Sequence, residues 1–169
     1  QRQMWQDARY GRRAEGTTSI AEDDEASERR HPRGDARLII IQCETEGGNP
    51  LELVECLGVV PSFFVVDTYF WGDHHRDIFL GPDRAKRISP LRSALKRGIL
   101  FSNHNDTFVT PIDPLLSVWS AVNRITSSGQ VLGGEYTISV MAALRSLPPW
   151  ASYRAVCETT KGQLEPAKQ

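Results

Sequence analysis

The sequence predicts an α/β fold with a parallel sheet, about half of a (β/α) barrel. Three observations predict it. Apolar runs recur at Leu38-Ile39-Ile40-Ile41, Val59-Val60-Pro61-Ser62-Phe63-Phe64-Val65-Val66 and Gly98-Ile99-Leu100-Phe101. Helical segments separate these runs, and the third ends in His104-Asn105-Asp106. Continuous β-branched runs suit strands buried on both faces, and strands alternating with helices define an α/β architecture. A complete barrel takes about 250 residues, so 169 residues with three strands in this order read as its last half.

Residues 1–36 differ from the rest: fifteen are Asp, Glu or Arg. Such composition predicts a poorly ordered or degraded charged segment, with one helix near 19–30. Order is expected from residue 37 to 160. A helix spans 50–57, and Gly58 breaks it. The strand over 59–66 tolerates Pro61 only where no N–H is needed. A polar, aromatic loop follows over 67–76, then a helix over 82–88. Ser89 as N-cap with Pro90 at the first helical position opens a helix to Lys96, and the third strand runs over 99–103. Asp113 and Pro114 repeat the cap-then-proline pattern and open a helix to about residue 125. In it, Leu115, Leu116, Trp119 and Val122 have the spacing of a core stripe. Loops are expected at 127–129 and 133–134. Ser139 caps a helix that Pro148-Pro149 ends, and 150–157 forms one more.

The formal net charge is -1 and no basic, aromatic-interleaved patch occurs, which argues against a nucleic-acid partner or an anionic membrane. No apolar run approaches the ~20 residues of a membrane span. The first residues, Gln1-Arg2-Gln3-Met4-Trp5, lack a signal-peptide core and an initiator Met. An excerpt or processed chain, cytoplasmic by default, is expected. Cys43, Cys56 and Cys157 match neither a disulfide framework nor a CxxC metal site, so buried or inert thiols in a reducing compartment are expected.

The third strand's end carries the chemistry. Side chains two apart share a face, so His104 and Asp106 should point the same way, at the strand end where barrel enzymes build their sites. A carboxylate there can hold a metal or take a proton from water. It can equally cap a turn before Pro111, and spacing leaves both open. Asn105 either orients a substrate or hydrogen-bonds locally. Tyr69 and Trp71 either wall a pocket or pack their loop. His74-His75 reads as a substrate-side or exposed pair rather than a chelate. Gly133-Gly134 lacks the strand and Lys of a phosphate loop.

Several segments together resemble amidohydrolase family 3, in its branch of N-substituted formamide deformylase-like enzymes. They are Val59-Val60-Pro61-Ser62-Phe63-Phe64, Thr68-Tyr69-Phe70-Trp71-Gly72-Asp73, Arg76-Asp77-Ile78-Phe79-Leu80-Gly81-Pro82, His104-Asn105-Asp106-Thr107, Thr110-Pro111-Ile112-Asp113-Pro114-Leu115-Leu116 and Trp119-Ser120-Ala121-Val122-Asn123-Arg124. Ser128-Gly129-Gln130-Val131-Leu132-Gly133 continues the likeness, and Lys161-Gly162-Gln163-Leu164-Glu165-Pro166 resembles a return strand.

The resemblance implies the C-terminal half of a metal-dependent-hydrolase TIM (β/α) barrel over 37–160. It also implies the start of a truncated β-sandwich return strand over 161–169. It implies a divalent metal, zinc by family, and hydrolysis of carbon–nitrogen bonds in small amide or formamide substrates. Asp106 falls where the family's Asp binds metal and shuttles the proton. Tyr69, Trp71, His104 and Asn105 fall at substrate-side positions. Gln42 occupies a position where the family carries a His ligand, and Arg13 stands where a second motif has His. With that ligand set incomplete, the chain alone is expected to be inactive or nearly so. The alternative is a decayed fragment or a half-barrel that self-associates through its exposed edges.

Overall fold

The computed structural model describes residues 8–10, 38–42 and 50–166. The expected helix near 19–30, Arg13 and Cys43 lie outside them. Four parallel strands form one sheet in sequence order: β1 Ala8–Tyr10, β2 Ile39–Ile41, β3 Val60–Phe63 and β4 Ser102–Asn103. β1 falls within the charged segment read as poorly packed, where no apolar run signals a strand. Helix α1 (Pro50–Cys56) joins β2 to β3. The return of each chain segment to a neighbouring parallel strand is the βαβ logic that the alternating pattern predicts.

β3 is shorter than the apolar run that predicts it. After Phe63 the chain turns, with the Asp67 N–H donating to the Phe64 carbonyl at 3.1 Å. Short helices α2 (Asp67–Phe70) and α3 (Gly72–His74) and a π-helical turn (His75–Phe79) replace the expected loop. Pro61 is accommodated by register. Val60 donates toward β2, to the Leu38 carbonyl at 2.8 Å, so position 61 faces the β4 side. There β4 begins only opposite Ser62.

Helices α4 (Pro82–Ala85) and α5 (Leu91–Lys96) lead into β4. Ser89 is not the expected N-cap of α5. Its φ is 45°, Pro90 takes the cap position, and the Ser89 carbonyl is turned to Arg124 instead. Asp113 does cap α6 (Pro114–Asn123), accepting from the Leu116 N–H at 2.9 Å. Asp113→Ala should cost about 1 kcal/mol, read as a shift in the urea midpoint. Ser139 caps α7 (Val140–Arg145) through the Ala142 N–H. Pro148 and Pro149 do not end a helix; they open α8 (Pro148–Arg154) from its first turn. Residues 161–166 form no strand.

The core gathers Ile40, Val54, Phe63, Val65, Leu91, Ala94, Phe101, Ala121 and Ala143 between the sheet and the helices. The buried residues of α6 are Ser117, Ser120 and Ala121. Leu115 is 72% and Trp119 38% exposed, whereas Val122 packs against the core, so only the end of the predicted stripe faces inward. Small side chains let α6 approach closely, and the Ala121 carbonyl accepts from Ile138 N–H at 3.2 Å. Cys56 is exposed and Cys157 half-buried, both as free thiols.

A buried cation ties the segment after α6 to the one before α5. Arg124, with φ 51° at the C-cap of α6, is fully buried. It donates to the carbonyls of Leu132 (2.8 Å), Ser89 (3.0 Å) and Ile88 (2.7 Å). Gly133, with φ 68°, lies against the Lys86 carbonyl, so any Cβ there would clash with it.

Candidate active site

The polar site lies at and just past the carboxyl ends of β2, β3 and β4. Gln42 follows β2 and is buried. Ser62 sits in β3 directly beside Ser102 of β4, so the two hydroxyls share a sheet face. His104 is the first residue after β4, and its N–H donates to the Phe63 carbonyl at 3.0 Å. That bond carries the ladder one step past the strand and fixes the imidazole's height. Asp106 follows in a left-handed turn.

The Gln42 amide donates from Nε2 to Asp106 Oδ2 at 2.8 Å. Both residues have positive φ, 58° and 50°. Left-handed backbone in a non-glycine residue costs about 1–2 kcal/mol and persists only where surroundings over-determine it. Here it turns two side chains from different strands toward one another.

The second half of the site centres on Ser62. Its Oγ lies 3.0 Å from His104 Nδ1. It accepts from Ser102 Oγ at 3.1 Å and from Arg154 Nη1, reaching over from α8, at 2.8 Å. Phe64 stacks on the His104 ring, centroids 5.4 Å apart and planes 17° apart. Burial pushes the His104 pKa down to about 4. The Asp106 carboxylate opposes that shift and the Arg154 guanidinium adds to it. His104 is therefore neutral at physiological pH, and its Nε2 is buried with no hydrogen-bond partner.

The sequence-predicted residues divide. His104, Asp106 and Gln42 come together. Trp71 is one ring removed, 6.0 Å from Phe64. Tyr69 packs away from them, edge-on to Trp119 at 5.7 Å. Asn105 is engaged in its own loop. It donates to the carbonyls of Pro111 (3.3 Å) and Asp113 (3.0 Å) and accepts from Ser117 Oγ at 3.0 Å. His74 is exposed, and His75 Nε2 pairs with buried Asp67 Oδ2 at 2.8 Å. Sequence reasoning missed Ser62, Ser102 and Arg154. The serines interrupt apolar runs near strand ends, a signal that could have found them, whereas nothing local marks Arg154.

An α/β domain with its polar cluster beyond the carboxyl ends of parallel strands has the architecture of an enzyme site. A family model for the amidohydrolase family matches residues 9–169, and the chain belongs to that family. Two solved structures are similar to it. One is an uncharacterized metal-dependent hydrolase from Pyrococcus horikoshii OT3, 20% identical with a TM-score of 0.78, covering 96% of this chain and 32% of its own. The other is an uncharacterized metal-dependent hydrolase from Pyrococcus furiosus, 19% identical with a TM-score of 0.76, covering 96% and 31%. This chain thus spans about a third of their length. No curated protein matches it.

The described residues do not fit a metal ion. Among them no three His, Cys, Asp or Glu side chains converge. The position beside Asp106 holds an amide that presents N–H to the carboxylate, where zinc sites use imidazole, thiolate or carboxylate. No helix among the described residues is long and apolar enough to cross a membrane.

Proposed function

We propose that this chain is part of a metal-dependent hydrolase domain acting on carbon–nitrogen bonds other than peptide bonds, in small amides or formamides. In this reading β1 to β4 are consecutive strands of a (β/α) barrel, and residues 161–169 lead toward a β-sandwich. Asp106 is the group that takes the proton from the attacking water. Trp71, by way of Phe64, walls the substrate side. The observation that carries the reading is Asp106 itself: a half-buried carboxylate just past the last strand, turned inward by left-handed backbone.

The chain on its own is a hydrolase without its catalysis. Gln42 offers Asp106 a hydrogen bond where the family carries a His ligand, and no metal donor set is complete among the described residues. Incubated with N-substituted formamides and simple amides, with and without added zinc, the purified chain should release no amine above background. Asp106→Asn should be indistinguishable from it. Zinc-dependent release abolished in Asp106→Asn would overturn the inactivity and keep the family chemistry. Release that persists in Asp106→Asn would remove Asp106 from the reaction.

A further inference from the structure

We propose that Ser62, Ser102 and Arg154 lock His104 as a neutral imidazole with its proton on Nε2. The site then offers an N–H donor to a ligand oxygen of the amide-carbonyl kind, and no lone pair to a metal. Hydrogen counting carries this. A hydroxyl has one hydrogen to give and two lone pairs to receive with. Both lone pairs of Ser62 are taken, one by Arg154 Nη1 at 2.8 Å and the other by Ser102 Oγ at 3.1 Å. A guanidinium has no acceptor, so the Arg154 bond cannot run the other way. The Ser62 hydrogen must therefore go to His104 Nδ1, 3.0 Å away. Nδ1 is left as the acceptor and the ring proton sits on Nε2. An imidazolium would aim a third donor at Ser62 and leave the hydroxyl hydrogen without an acceptor.

The Nε2–H is buried without a partner, on a ring that Phe64 holds by stacking. A buried, unsatisfied donor calls for an acceptor, and beside the Asp106 carboxylate that acceptor must be a neutral or partly negative oxygen. The choice of an amide carbonyl rests on the hydrolase reading above; the tautomer does not. Ser62, Ser102 and Arg154 are thus positioning residues, acting through His104.

Long-range proton–nitrogen NMR of the chain carrying 15N-histidine tests this directly, with His104→Gln assigning the signal. The expected pattern at neutral pH is an unprotonated Nδ1 and a protonated Nε2 on His104. The opposite tautomer, or an imidazolium, overturns the proposal. Ser62→Ala should give averaged tautomers, whereas Arg154→Lys, which keeps a donor to the Ser62 hydroxyl, should retain the single form. A single form unchanged in Ser62→Ala overturns the lock. Added zinc should leave the Nε2 proton in place; its loss to zinc overturns the exclusion of metal. N-methylformamide should shift the Nε2–H signal. No shift at any concentration overturns the acceptor role, while the hydrolase reading stands or falls on amine release.

Discussion

Arg124→Met should lower stability by about 3–5 kcal/mol and bring the domain close to unfolding at room temperature. Each buried carbonyl that loses its donor costs about 1–3 kcal/mol, and natural domains hold only about 5–15 kcal/mol in total. The Leu132, Ser89 and Ile88 carbonyls would all lose the same partner. Burial pushes the Arg124 pKa down to about 10, so the group is still charged at neutral pH and its bonds are charge-assisted. Lysine keeps the charge without the planar fork and should recover only part of the loss. Urea titration of both variants measures it. A midpoint within error of the parent would show that the three carbonyl bonds do not hold the segments together.

The second large effect is acid lability from His104. Its folded pKa of about 4 is below the unfolded value of about 6.5. The unfolded chain therefore takes up the proton first as pH falls. Stability is full above about 6.5 and declines toward 4 by about 3 kcal/mol, a pKa unit being about 1.4 kcal/mol. Urea midpoints across that range should fall steeply in the parent and less in His104→Gln. Equal slopes would assign the acid lability to another group.

Local chemistry made some of this legible. Asp113 and Ser139 announce their helices because a capping side chain acts on residues two or three positions away. Ser89 has the same appearance and fails, because its backbone conformation answers to Arg124, 35 residues on. The strand in 59–66 was visible, but its end was not: β3 stops where β4 stops pairing, and that is a tertiary fact. His104 and Asp106 were readable from a strand ending in polar residues. The Ser62 contacts with His104 and Arg154 span 42 and 92 residues, and no window along the chain contains them. Gln42 stood out only against a relative's pattern. Its bond to Asp106 follows from two left-handed residues that propensity disfavours.

The outer edge of β4 has a consequence for synthesis on the ribosome. Asn103 gives its N–H to the Ser146 carbonyl at 3.1 Å and its side-chain amide to Ser146 Oγ at 2.8 Å. Because the strands lie in sequence order, each can dock on its predecessor as it emerges. Among the described residues, the newest one's outer edge finds its partner only just after α7. For more than forty codons the growing sheet therefore presents open backbone on one side, the kind of surface that recruits other chains. Ser146 is the residue that ends that interval.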